Sequence, residues 1–423
     1  MWTKTRLKFL ASEPIRNGLG EAGAFEEPNW PRYIRTTDIA STRELRSDVF
    51  KSLPPDTAKR ALLCPGDILM TAAGATIGKS YLHLKSGSYC FAGYLVRFRA
   101  AGNVDPRFIS YWTESEIYLN QIATGAVRST IDNFSASKYG NLILSVPSVE
   151  EQRGISDFLD GETSRIDSLM RATERQVHLL DERCVEVFRE ATTTGGRTET
   201  RATGIRWMPC VASDYSLYKV GLAFGTGSGT TPRSSDPSYF DGNYYWINTG
   251  DLRDSPIASP SKTVTDRALK DYSTLKIYDP GALVVAMYGA TTGRVGILKV
   301  PACVNQACCV LVGLGDVSIN YSFYWFRGHR AEILALASGG GQPNISQDVI
   351  RGLRIPAPKK GEQRRIVQLC DELEEWTVRQ QGLLHRRRHL LDERRRALIT
   401  AAVTGQFDVS SASGRGVTDG VGS

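Results

Sequence analysis

Two stretches of this chain carry apolar positions at helical spacing, and each runs for about forty residues. In 151–193 the apolar or small positions are Ile155, Leu159, Ile166, Leu169, Leu180, Cys184 and Val187, close to the three-to-four spacing of a coiled-coil seam. In the second stretch Ile366, Cys370, Leu373, Leu384, Leu391 and Leu398 fall at matching intervals. No proline lies between Pro147 and Pro209, and none follows Pro358. Each helix is therefore predicted to start just after a proline-containing strand end, and the second to stop at Gly405. At ~1.5 Å per residue such a helix is on the order of 60 Å long. Gly161 and Gly382 sit inside the two stretches, each costing about 1 kcal/mol relative to Ala, and mark places where a bend is expected. A helix with one apolar face cannot stand alone in water, so the two are expected to pack against each other.

The rest of the pattern is of many short strands. Turn signals at Pro65-Gly66-Asp67 and Asp279-Pro280-Gly281 stand beside β-rich runs such as Leu283-Val284-Val285 and 308–312. Helical stretches are predicted near 106–122 and 320–337, rich in aromatics (Phe108, Tyr111, Trp112; Phe323, Tyr324, Trp325, Phe326) that are expected to be core. The fold class is α+β.

The pattern is written twice. LLDER occurs at 179–183 and at 390–394, and Glu151-Gln152-Arg153 recurs as Glu362-Gln363-Arg364, both 211 residues on. Residues 33–40 match 246–253 at an offset of 213, and 64–85 match 279–300 at 215. A repeat of half the chain means two similar modules, not a solenoid, whose period would be roughly 20–50 residues. The offset drifts through the modules and is constant through the helices, so each half is a loop-variable module followed by a length-locked helix. Pseudo-twofold symmetry favours antiparallel pairing of the helices.

Charge adds a partner class. Residues 1–149 carry a net +5, 150–194 a net −5, 195–360 a net +6 and 361–404 a net +2. The positive excess sits in the modules, which suggests a polyanion, most simply nucleic acid. The opposite balance of the two helices suits mutual packing; the clusters Arg386–Arg388 and Arg394–Arg396 either face the acidic first helix or form a solvated face. Eight cysteines are scattered without a CxxC pair, pointing to reduced thiols and a cytoplasmic protein rather than to zinc. No stretch approaches the ~18–20 apolar residues of a membrane span, and the N-terminus lacks the apolar core of a signal peptide.

Catalytic motifs fail on inspection. AGATIGKS (73–80) resembles a phosphate-binding loop but has Ala73 in place of the first glycine, and its duplicate loses both Lys and Ser/Thr. A hairpin in which glycines supply positive φ explains both copies better. His385 and His389 lack the Glu and further ligands of a metal site. No catalytic residue, metal site or cofactor loop is evident.

The half-chain duplication, GGGQPNISQDVIRGLRIPAPKKGEQRRIV (339–367) and LLDERRRALITAAVTGQFDV (390–409) together resemble the specificity subunits of type I restriction–modification systems. The resemblance runs to about Val409. It implies two target-recognition domains (1–149 and 195–360), each followed by a spacer helix (150–194 and 361–405), with the helices paired antiparallel as a ruler; 406–423 is expected to be a disordered tail. It further implies a non-catalytic subunit that reads a bipartite site in double-stranded DNA and recruits two methyltransferase subunits. Motor-nuclease subunits join for restriction, and S-adenosylmethionine and ATP belong to those partners. Lys79, Arg128, Ser129 and Asn133 in the first module, and Arg294, Gln342 and Asn344 in the second, occupy polar or Gly-rich loops at corresponding places. They are the candidate DNA contacts, although Asn133 and Asn344 also suit simple turn-holding. The alternatives are a self-contained methyltransferase or nucleotide-dependent enzyme, for which no cofactor loop is found, and a helical scaffold without sequence-specific DNA binding.

Overall fold

The computed structural model describes residues 2–126, 133–337, 344–407 and 409. The chain divides into two compact units, 1–173 with 385–423, and 174–384. The boundaries cut through both long helices, Val149–Thr193 and Lys360–Thr404. Both run as continuous helix through Gly161 and Gly382.

In the first unit, Ile68–Thr71 lies between Leu95–Phe98 and Ser80–Leu82 in an antiparallel sheet. Its ILMT sequence is apolar throughout because both faces are covered. Ile68 and Met70 enter one core cluster with Phe98, Phe108 and Trp112, while Leu69 enters another with Ile34 and Phe91. The second unit repeats this. Leu283 and Val285 face one cluster, Val284 and Ala286 the other, in a five-stranded sheet centred on Leu283–Ala286. The strands that lead into the long helices pair with the start of each module, Thr3–Arg6 with Ile143–Val146 and Ser216–Lys219 with Arg354–Ala357. A hairpin, Thr200–Ile205 with Met208–Ala212, is added to the second unit.

Each unit shows antiparallel helix packing by itself. In the first, Ile155 and Leu159 near the start of one helix share a core with Ile399, Ala402 and Val403 at the end of the other. In the second, Cys184, Phe188 and Ala191 share a core with Ile366 and Cys370. The aromatics expected to be core are buried. The two predicted shorter helices are each broken. Pro106–Trp112 and Glu116–Ala126 are separated by a turn in which the Ser115 hydroxyl accepts from the Tyr118 N–H, and Ile319–Gly328 and Arg330–Leu334 are separated at His329. The arginine clusters divide: Arg395 reaches Asp167 and Glu114, whereas Arg386 and Arg387 are exposed.

The repeated Glu-Gln-Arg motif has a structural reason. Gln152 is buried; its amide donates to the Pro147 carbonyl at 3.0 Å, and its oxygen accepts the Asp105 N–H at 2.9 Å. Gln363 makes the equivalent bonds to the Pro358 carbonyl at 2.9 Å and from the Ser318 N–H at 2.8 Å. Each glutamine satisfies backbone groups that would be orphaned in the core, and so fixes its module to its helix. A second pair of tethers runs from Tyr111 to Asp160 and from Tyr324 to Asp371.

Within the second unit His329 is buried and stacked on Trp325, with its ring nitrogens on Thr193 Oγ1 and the Trp325 carbonyl. Burial pushes its pKa down to about 4 from 6.5. The unfolded chain therefore takes up this proton first, and stability falls as pH drops from about 6.5 towards 4, by on the order of 3 kcal/mol. Denaturation curves between pH 7 and 4 should be steeper in pH for the parent chain than for His329→Asn; equal slopes would exclude this histidine as the source.

Candidate nucleic-acid interface

Both modules carry the same hairpin, built from Gly-rich sequence between two buried strands. In the first, Ile77 N–H donates to Gly74 O (3.1 Å), Gly78 N–H to Thr71 O (3.1 Å) and Lys79 N–H to Thr76 O (3.0 Å). In the second, Thr292, Gly293 and Arg294 donate to Gly289, Ala286 and Thr291 at 3.2, 2.8 and 2.9 Å. Gly74 and Gly78 have φ of 80° and 86°, and Gly289 and Gly293 have 92° and 77°, which L side chains rarely adopt. The loop returns directly into a strand, so it is a hairpin and not a phosphate-binding loop opening a helix.

The hairpin is held from beneath at the same atom in both copies by different chemistry. Tyr118 donates its hydroxyl to the Gly78 carbonyl at 3.0 Å, whereas Arg330 Nε donates to the Gly293 carbonyl at 3.1 Å and its Nη2 pairs with Asp254. Tyr139 accepts the Gly78 N–H and donates to Thr71 O at 2.6 Å. Burial pushes the Tyr139 phenol up to about 12, which keeps it a neutral donor.

Two further segments frame each hairpin. Asn133 bridges Ala73 and Asn344 bridges Tyr288; the adjoining Phe134 and Ile345 N–H groups donate to Ala72 O and Met287 O at 2.7 and 2.8 Å. On the other side, Ala72 N–H donates to Tyr94 O and Met287 N–H to Ala307 O, both at 2.8 Å. The turn around 93 is latched by Asn17 Nδ2 on the Gly93 carbonyl at 2.9 Å, and the turn around 306 by the Ser228 hydroxyl on the Gln306 carbonyl at 3.4 Å. Gly18 and Gly229 make the latch possible. A Cβ on them would lie 2.1 Å from Phe91 O and 1.7 Å from Val304 O.

The candidates read from sequence fall unevenly on this frame. Lys79 is half-buried, and its ammonium donates to the Ile39 carbonyl at 2.8 Å. Arg294, its equivalent, is exposed and has no ion pair among the described residues. Asn133 and Asn344 are exposed, and each also holds the bridge to its hairpin, so the turn-holding role is present in both. Arg128, Ser129 and Gln342 lie outside the described residues. Sequence reasoning passed over the turns at 92–94 and 305–307 and their glycine latches, because the drifting offset hides their equivalence.

Among the described residues no group of three or more His, Cys, Asp or Glu is placed to hold a metal, and no helix is long and apolar enough to cross a membrane. The cysteines are free.

This doubled α+β module with its long helix defines a class of protein. The model of the type I restriction modification DNA specificity domain matches residues 216–381. The type I restriction enzyme StySPI specificity subunit of Salmonella potsdam is 23% identical over 359 residues, 80% of this chain and 74% of the relative. The MjaIX specificity subunit of Methanocaldococcus jannaschii is 27% identical over 197 residues, 45% of this chain. The EcoR124I/EcoR124II subunit of Escherichia coli is 24% identical over 156 residues. The alignments span 44% and 38% of the archaeal and E. coli relatives' own lengths. A solved chain from a study of type I R-M complex assembly shares the fold with a TM-score of 0.73, at 16% identity, covering 96% of this chain and 98% of that one. The HsdS subunit of Thermoanaerobacter tengcongensis has a TM-score of 0.52, also at 16% identity, covering 96% of this chain and 97% of that one. Over residues 216–381 the chain matches the specificity-domain family, and over most of its length it is similar to type I restriction–modification specificity subunits.

Proposed function

We propose that this chain is the non-catalytic reader of a bipartite duplex DNA site. Residues 1–149 and 195–360 act as the two target-recognition domains. The helices within 150–194 and 361–405 set the unread spacer and dock two methyltransferase subunits, with motor-nuclease subunits joining for restriction. S-adenosylmethionine and ATP act in those partners. The observation that carries this reading is the hairpin frame built twice, with the same backbone bonds and different side chains at its edges. One frame in two versions suits two half-sites of different sequence. Phosphate contacts from the basic modules position the duplex, and side chains at base edges choose the sequence. The docking role is supported by a row of exposed apolar side chains on the second long helix, Leu369, Trp376 and Leu383, each seven residues from the next. The same row is compatible with a scaffold that binds protein and no specific DNA.

A spacer experiment separates the two. Four residues inserted in each long helix add about 6 Å and slightly more than one turn, which keeps the faces near register. At roughly 3.4 Å per base step, the preferred spacer should lengthen by one to two base pairs with both half-sites unchanged. An unchanged spacer contradicts the ruler; loss of sequence preference in the parent chain favours the scaffold.

A further inference from the structure

The two copies differ most tellingly at the turn beside the hairpin. In the first module this turn is Ala92-Gly93-Tyr94, and in the second Asn305-Gln306-Ala307, at an offset of 213. The strands on either side are closed to solvent, with Cys90, Phe91, Leu95 and Val96 buried in one copy and Cys303, Val304, Cys308 and Cys309 in the other. Yet Tyr94 is 69% exposed. Its partner position, Ala307, is buried, and there the exposed side chain is Gln306, one residue earlier. Each turn presents one large polar-tipped side chain, and each backs it with a residue too small to compete.

Both turns are held in place at their backbone carbonyls. The Tyr94 carbonyl is tied to the hairpin and the neighbouring Gly93 carbonyl to Asn17. Gln306 has its carbonyl latched by Ser228, and its exposed side chain is anchored at Oε1, which accepts from the Thr231 hydroxyl, with the amide NH2 as its donor end. By contrast the hairpin tips, Gly74-Ala75-Thr76 and Gly289-Ala290-Thr291, have the same sequence in both copies. Two modules that grip the same sugar-phosphate backbone but select different bases must share the grip and differ in the reader.

Resting on the DNA-reading function above, we propose that Tyr94 and Gln306 are specificity-determining residues, one for each half-site. Tyr94 offers an aromatic face and a hydroxyl to a base or a thymine methyl. Gln306 offers an amide donor to an acceptor on a base edge.

The test uses the full chain assembled with its methyltransferase subunits and a duplex pool randomised across both half-sites. Tyr94→Ala should broaden preference by on the order of tenfold at one or more positions of one half-site and leave the other unchanged; Gln306→Ala should do the reverse. Tyr94→Phe separates the ring from the hydroxyl: retained selectivity assigns the reading to the ring, lost selectivity to the hydroxyl. Both side chains are exposed, so the melting temperature should not move. Unaltered preference in both alanine variants, or a uniform loss of affinity with unaltered preference, overturns the assignment of these two residues while the DNA-reading function stands. A parent complex that selects no split site overturns both.

Discussion

Arg327→Ala is expected to destabilise the second unit by about 3 kcal/mol, read as a shift in the denaturant midpoint. The guanidinium forks onto Glu374 at 2.9 and 2.8 Å and lies over the rings of Phe188, Phe323 and Tyr324 at 4.8 to 5.5 Å. It thus joins a module helix to both long helices. Removing it leaves the Glu374 carboxylate with the Tyr324 hydroxyl at 3.2 Å and forfeits the stacking on three rings. Glu374 is 32% exposed, so water relieves part of the orphaned charge and the cost falls at the low end for a broken buried pair. Replacing both partners, Arg327→Met with Glu374→Leu, should recover much of the loss, because no charge is then stranded. A double variant as unstable as Arg327→Ala would show that the rings, not the ion pair, carry the effect.

Gly229→Ala is expected to abolish selection at one half-site and spare the other. The added Cβ would lie 1.7 Å from the Val304 carbonyl oxygen, with backbone on both sides of the clash. The strand Ala302–Val304 cannot retreat cheaply, since it is paired with Phe240–Ile247 and its side chains are buried. The 228–231 segment must lift, and it takes with it the Ser228 latch and the Thr231 hydroxyl that anchors Gln306. Overpacking of this kind costs about 1–3 kcal/mol. Gly18→Ala is the mirror experiment, with 2.1 Å to Phe91 O, and should affect the opposite half-site. Selection profiles of the two variants check this directly. If both lose the same half-site, or neither loses any, the latches do not serve separate readers.

The long helices, the doubled hairpin and the α+β class were legible because each rests on local pattern. The seam spacing, the constant 211 offset and the paired glycines state their structure within a few residues of themselves. The Leu283-Val284-Val285 run was readable as a strand, but not as a strand buried on both faces, since a run says nothing about what covers it. The helices run on through Gly161 and Gly382, where the neighbouring turns outweigh a cost of about 1 kcal/mol. Long-range bonds were hidden. The Glu-Gln-Arg repeat announced that Gln152 and Gln363 matter, but their partners Asp105 and Ser318 lie about 45 residues away. At the candidate interface the sequence led to the hairpin and to Asn133 and Asn344, which do border it. It passed over Tyr94 and Gln306, the two proposed readers, because exposure is set by packing that no periodicity records. Lys79 and Arg294 looked equivalent in sequence, yet one ammonium is spent on the Ile39 carbonyl while the other cation is exposed.

The central claim is that one chain reads two half-sites across a fixed gap. Sequencing the methylated bases in a host that carries this chain with its methyltransferase subunits tests it most directly. The account predicts a single motif of two defined half-sites separated by an unspecified spacer of constant length. A contiguous motif, a spacer of variable length, or methylation without sequence preference would contradict it.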